Sequence, residues 1–370
     1  VAVAVFCGLL FAAGIVLSLC LGSRTVTFEK VLEALCGKQA ETLEAYTEAV
    51  CRNLKQYTDA VPMDTVYFGG GTPSLLSPQQ IGSILETAAA CFPLAADAEV
   101  TLEANPATVT RQQLSQLRAA GVNRISFGVQ SLEPEQLRYL GRLHTAEEAI
   151  QTVEDAAAAG FQNISCDLML ALPEQTPQAL SHTIERLTAL PIQHVSAYLL
   201  KIEPGTPFFA RQEELRCPDG DAAADLYLQA VSELEQAGFL QYEISNFARE
   251  GFHSRHNCKY WHCVPYLGIG PSAHSCWNGT RFAVPASVQA FLTQPVQHTE
   301  IEDATPGTPE ERLMLGMRLT EGVPAAWLAG KEYKVQQFSR MGFLRQDGAR
   351  IALTPKGFLV SNSILAELLP

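Results

Sequence analysis

From Asp64 onward the chain alternates short β-branched or apolar runs with longer stretches of helical spacing. The runs Thr65–Phe68, Glu99–Leu102, Arg124–Val129, Ile164–Leu168 and Val195–Leu199 predict strands. Capping boxes mark the starts of the helices between them. Ser77 with Gln80, Thr110 with Gln113 and Thr145 with Glu148 each place a side-chain acceptor three residues ahead of a Gln or Glu. Pro78 stands at a first helical position, and Gly121, Gly160 and Gly238 fall where helices should end. Strand–helix repetition of this kind predicts an α/β fold with a parallel sheet or barrel, in which ligands bind at the carboxyl ends of the strands.

Polar residues gather at those ends. The first strand runs into Gly69-Gly70-Gly71-Thr72-Pro73 and the second into Glu103-Ala104-Asn105-Pro106. The third ends in Gly128-Val129-Gln130-Ser131, the fourth contains Asp167, and the fifth leads to Tyr198 and Lys201. Glycines let a ligand approach backbone N–H and C=O groups, while carboxylates and an amide can bind its amine and hydroxyls. One Gly-rich turn reads as a tight loop; five such ends together predict a binding site.

The first 22 residues, Val1 to Gly22, carry no charge and are long enough to span a bilayer. No basic stretch and no initiator Met precede them, so a signal peptide fits poorly and the chain reads as truncated at its start. The run from Leu17 to Leu32 resembles the first transmembrane helix and loop of iron-siderophore or heme ABC permeases. Residues 1–37 are therefore expected to be foreign to the rest of the chain, with membrane association through residues 1–22. The net charge of −13 over 370 residues argues against a nucleic-acid binder, which needs a basic surface. Ten cysteines are scattered without C-x-x-C spacing, which suits reduced thiols in a cytoplasm.

The ordered motifs Gly-Gly-Gly-Thr-Pro, Glu-x-Asn-Pro, Gly-Val-Gln-Ser, Leu-Gly-Arg-x-His, Asp-Leu-Met-x-x-Leu-Pro and Ile-Glu-Pro-Gly-Thr-Pro resemble the radical-SAM family that contains HemW and oxygen-independent coproporphyrinogen III oxidase. The resemblance implies a partial (β/α)6 barrel lacking its first strand, with a small C-terminal helical, winged-helix-like domain. It implies contacts from Gly70, Gly71, Thr72 and Glu103 to S-adenosylmethionine (SAM), and from Gln130, Arg142 and Asp167 to a second SAM. On position alone, the lesser reading is that Arg142 is a surface charge and Asp167 half of a structural pair within the barrel. The stretch His256-Asn257-x-x-Tyr260-Trp261 resembles the heme motif of the chaperone branch, with His256 ahead of His253 and His262 as the iron ligand. A satisfied loop histidine covered by aromatics is the other reading. His256, Cys258, His262 and Cys263 also lie within eight residues, but their spacing is unlike that of structural zinc sites. The expected division is 1–37, a foreign hydrophobic segment; 38–245, the barrel; 246–300, an extension with the His-Asn-x-x-Tyr-Trp motif; and 301–370, the C-terminal domain carried by Glu310–Gly322 and Ile351–Asn362.

That family holds a [4Fe–4S] cluster with C-x-x-x-C-x-x-C, which should precede Gly37 and is absent there. Catalytic residues are therefore expected to be none and catalysis silent, since SAM cleavage has no electron donor. The expectation is a HemW-like chaperone binding heme and SAM, which passes heme to acceptor proteins, among them membrane-bound respiratory proteins. The alternatives are a coproporphyrinogen III oxidase-like enzyme, or a non-functional gene fusion with a permease fragment.

Overall fold

The computed structural model describes residues 28–70, 72–204, 207–212 and 214–369. The apolar segment 1–22 and the permease-like run up to residue 27 lie outside the described residues, as do Gly71, Gly205 and Thr206. One helix, Phe28–Leu54, runs unbroken across residue 37. Among the described residues no helix is long and apolar enough to cross a membrane.

All five predicted strands form, each within a few residues of the expected bounds: β1 (Met63–Phe68), β2 (Leu94–Ala104), β3 (Arg124–Gln130), β4 (Ile164–Leu170) and β5 (His194–Leu199). The capping boxes form as well. Ser77 and Gln80 exchange bonds at the start of the helix Pro78–Cys91, and Thr145 and Glu148 at the start of Ala146–Ala158. Thr110 and Gln113 do the same ahead of Arg111–Ala119. Each box satisfies two amide donors that would otherwise be orphaned at a helix start.

The chain packs into two compact units, each discontinuous in sequence. Among the described residues, unit 1 comprises those up to Ala98, 119–121 and Pro265–Pro306. Its core joins Ala49, Val50 and Leu54 of the long helix to Ile84, Ala88, Val284 and Phe291. Fully buried Asn53 ties this core together, donating to the Ala49 carbonyl at 2.8 Å and accepting the Gln297 N–H at 2.6 Å. A three-stranded antiparallel sheet, β8 (His274–Trp277), β9 (Thr280–Ala283) and β10 (Glu300–Asp303), completes it.

Unit 2 comprises 99–118, 122–264 and 307–370. Here β2, β3, β4 and β5 run parallel in sequence order, and β7 (Asn246–Ala248) and β6 (Leu240–Gln241) continue the sheet antiparallel. Successive side chains on a strand point to opposite faces, and here the two faces differ chemically. Val100, Leu102, Ile125, Phe127, Cys166, Leu168, Val195 and Ala197 are buried on one face. The alternate positions carry Glu99, Thr101 and Glu103; Arg124, Ser126, Gly128 and Gln130; Ser165 and Asp167; His194, Ser196 and Tyr198. Parallel sheets usually bury apolar side chains on both faces, so a polar inner face signals a site rather than a packing surface. The C-terminal part of unit 2 adds a small antiparallel sheet, β11 (Val323–Pro324), β13 (Arg350–Leu353) and β12 (Leu344–Asp347), with the helices Glu332–Arg340, Pro355–Leu359 and Ser361–Leu368. The expected α/β fold with a small C-terminal domain is thus found.

Candidate functional site

Strand register aligns the polar residues in rows. Glu103 pairs across to Ser126, Ser126 to Ser165 and Ser165 to His194; the next row joins Asp167 to Ser196 and Asn246. Ser126 Oγ donates to Asp167 Oδ1 at 3.3 Å. Burial, and then the neighbouring Glu103 carboxylate, push Asp167 up to about 6, while Ser196, Ser126 and the Arg124 guanidinium pull it back. The Glu103 and Asp167 carboxylates repel one another across this face, and a positively charged group relieves that repulsion, as Arg124 does in part.

Three further predicted residues meet at Gly128. A Cβ built there would lie 3.0 Å from Gln130 Nε2, 3.2 Å from Asn105 Oδ1 and 3.9 Å from Arg142 Nη1. Arg142 Nη1 itself donates to Asn105 Oδ1 at 3.2 Å. Arg142 is half-buried; burial lowers its pKa and the Asp167 charge raises it. The cluster depends on a bulge: the β3–β4 register slips between Phe127 and Gln130, and Gln130 takes a left-handed φ of 68°. That turn aims a buried amide where a regular strand would not. Tyr198 also belongs here, its hydroxyl pKa raised by burial and by Asp167. Lys201 does not; it is exposed and paired with Glu203 at 2.6 Å.

Gly70 and Thr72 follow β1 in unit 1. Gly70 has a φ of 88°, which favours glycine, and Thr72 precedes the short turn Pro73–Leu75.

The His-Asn-x-x-Tyr-Trp residues form one short helix, Arg255–Trp261, whose N-cap Ser254 accepts the Asn257 N–H at 3.4 Å. Glu99, 6% exposed, accepts the backbone N–H groups of Arg255 at 3.2 Å and His256 at 3.1 Å. His256 Nε2 and Tyr260 Oη lie 2.8 Å apart, one helical turn separating them, with the rings edge to face. Trp261 lies under the Arg318 guanidinium, 4.4 Å from ring centroid to Cζ. His253 stacks on Tyr242 at 4.2 Å, and His262 bridges the Cys258 carbonyl at 2.8 Å and Glu321 at 3.0 Å. Of the three histidines, His256 is the one placed within the motif helix itself.

A buried chain links this segment to the sheet. Ser165 Oγ and His194 Nδ1 are 2.8 Å apart, His194 Nε2 and Tyr242 Oη 2.8 Å, and Tyr242 Oη accepts the Ser254 N–H at 3.2 Å. Burial, reinforced by Arg124 and His253, holds His194 well below its ordinary pKa, so it stays neutral. Reasoning from the sequence missed Glu99, Arg124, Ser126, His194 and Tyr242. For the first four the signal was present as polar residues at every second position of the parallel strands; Tyr242 lies outside the strands and carries no such signal.

Chemical fit differs among the groups the resemblance implied. The Glu103–Asp167 pair and the Gly128 cradle fit a cationic, polar ligand such as SAM. The motif helix, with an imidazole flanked by two aromatics, fits a flat macrocycle. The thiols do not fit a [4Fe–4S] cluster: no three cysteines of the chain have the C-x-x-x-C-x-x-C spacing, and among the described residues no three His, Cys, Asp or Glu groups gather as a metal site.

The fold and this face define a radical-SAM-type protein. The Radical SAM superfamily model matches residues 40–187, and the HemN C-terminal domain model matches residues 308–360. The chain is 32% identical to the heme chaperone HemW of Bacillus subtilis over 90% of this chain and 93% of that protein. It is 35% identical to HemW of Mycobacterium tuberculosis, over 84% and 82% of the two chains. It is 37% identical to the mitochondrial radical S-adenosyl methionine domain-containing protein 1 of Mus musculus, over 88% and 79%. The solved coproporphyrinogen III oxidase HemN of Escherichia coli shares the fold, with a TM-score of 0.71 and 22% identity, covering 90% of this chain and 83% of that one. The chain belongs to the HemW family.

Proposed function

We propose that this chain is a heme-binding chaperone that also binds SAM and passes heme to acceptor proteins, membrane-bound respiratory proteins among them, from the cytoplasm. The observation that carries the reading is the anchoring of the motif helix. A buried carboxylate and a buried His–Tyr chain hold a seven-residue helix whose sequence is His-Asn-x-x-Tyr-Trp. A short helix is marginal alone, so this much buried polar anchoring supports a positioned function. Relatives above 30% identity named as heme chaperones support it further. The likeness to coproporphyrinogen III oxidase rests on fold alone and gives the oxidase reading no comparable support.

In this reading His256 ligates heme iron, with Asn257, Tyr260 and Trp261 around it. Glu103, Gln130, Arg142 and Asp167 bind SAM. SAM supplies a sulfonium and an amino-acid head, and the carboxylates supply the counter-charge. No step in this reading runs through an iron–sulfur cluster, because no three cysteines of this sequence have the C-x-x-x-C-x-x-C spacing. Hemin titration tests the assignment: His256→Ala should change both affinity and the Soret spectrum, and an unchanged titration would remove His256 from the site.

A further inference from the structure

Two of the three tryptophans in the chain, Trp261 and Trp327, line one cleft inside unit 2, at the C-terminal end of the motif helix. Trp327 is 49% exposed, and a large half-exposed aromatic marks a contact surface more often than a core. Arg312 and Arg350 line the same cleft, with His262 and a single carboxylate, Glu321. Glu321 is already engaged, by His262 at 3.0 Å and by Arg350 at 3.4 Å. A local excess of cations stands out in a chain of net charge −13.

The wall is built rather than incidental. Arg350 Nε donates to the Glu321 carbonyl at 2.8 Å and Nη2 to the Gly322 carbonyl at 2.5 Å, fixing that turn. Any Cβ at Gly322, whose φ is 63°, would collide with the Ile351 carbonyl, and one at Gly316 would press on Val323 Cγ1 at 2.8 Å. Arg312 Nε donates to the Gly307 carbonyl at 2.9 Å, which orients its guanidinium. Among the described residues Trp261 Nε1 is buried with no hydrogen-bond partner, as is Nε of Arg318 stacked on its ring. Buried donors almost always find an acceptor, so these two stand out behind the wall of the cleft. The cavity, about 80 Å³, holds a carboxyalkyl arm and not a whole macrocycle.

The geometry points to this cleft as the anchor for a carboxylate arm of the tetrapyrrole, with Arg312 pairing with the carboxylate and Trp261 and Trp327 flanking the ring edge; this rests on the heme-binding reading above. Arg312 is thus a binding residue that no motif marks. The acid side chains of heme, rather than its iron, are what this surface recognises.

Hemin titration of the full chain by Soret absorbance and tryptophan fluorescence tests it, alongside iron protoporphyrin with both carboxylates esterified. Arg312→Gln should weaken hemin binding about tenfold, the worth of one charge-assisted hydrogen bond; Arg312→Lys should lose less, and Trp327→Ala should weaken binding and reduce quenching. The diester should bind the wild type as weakly as hemin binds Arg312→Gln and be indifferent to that substitution. Circular-dichroism melts establish that each variant folds. Equal binding of acid and ester by the wild type, or wild-type hemin affinity in both Arg312→Gln and Trp327→Ala, overturns the proposal. If His256→Ala leaves the spectrum unchanged while the acid–ester difference still depends on Arg312, the iron-ligand assignment falls and the cleft stands. A wild type that takes up no hemin removes both.

Discussion

Glu99 Oε1 accepts the backbone N–H of His256 at 3.1 Å, and its other oxygen accepts that of Arg255 at 3.2 Å. A strand residue on the same face as Glu103 thereby holds the first turn of the motif helix. Negative charge at a helix start is favourable, and a buried carboxylate with two N–H donors is well satisfied. Glu99→Ala strands both donors and should destabilise the fold by roughly 1–3 kcal/mol. Urea denaturation measures that, and the Soret band of added hemin should shift with the displaced His256. Glu99→Gln, which keeps one acceptor, should fall between the two.

Asp167 gives a pH dependence with a definite sign. Its folded-state pKa of about 6 lies above the ordinary 3.8, so the folded chain binds the extra proton between those values. Its contribution to stability is full below the ordinary value and is lost as pH rises through about 6. Asp167→Asn should remove this arm of the stability profile, worth roughly 3 kcal/mol. A cationic ligand prefers the carboxylate, so SAM affinity by calorimetry should fall as pH drops through that same point in the wild type and be flat in the variant.

His194 acts in the opposite direction. Its folded-state pKa lies well below the ordinary 6.5, so the unfolded chain takes up the proton first. Stability from this residue is present above that value and is lost as pH falls below it. His194→Leu should flatten this arm while leaving the Ser165 and Tyr242 hydroxyls without their partner, at about 2–4 kcal/mol. Denaturation curves at several pH values, compared with Asp167→Asn, separate the two titrations.

Gly128→Ala tests the cradle. The added methyl must displace the Gln130 amide and the Asn105 carbonyl oxygen, which also accepts from Arg142. Overpacking of this kind costs about 1–3 kcal/mol. If the cluster binds SAM as proposed, SAM binding should weaken by more than the loss of stability explains, because the Gln130 and Asn105 groups are displaced together; equal SAM affinity in the variant would dissociate the cluster from the ligand.

Reconstitution under anaerobic conditions with iron and sulfide should give no stable [4Fe–4S] absorbance or electron paramagnetic resonance signal. A stable signal would show that thiols distant in sequence assemble a cluster, and would return radical chemistry to this chain.

Much of the framework was legible in the residues alone. Capping boxes such as Ser77 with Gln80 act within one helical turn, so the information that fixes them is local. Strand positions followed from short β-branched runs, and Glu103, Gln130 and Asp167 were readable because parallel strands gather ligands at their carboxyl ends. The local pattern could not say which polar residues would meet. That Asn105, Gln130 and Arg142 close around Gly128 depends on a one-residue bulge in the β3–β4 register. Glu99 lies 157 residues from His256, and His194 touches Ser165 and Tyr242 only across neighbouring elements. The cleft of Trp261, Trp327 and Arg312 joins segments that carry no shared motif. Sequence by itself determined the elements and their caps, because those interactions span three or four residues; tertiary structure alone decided the partners of the buried polar groups, because burial and strand register set which distant donors and acceptors satisfy one another.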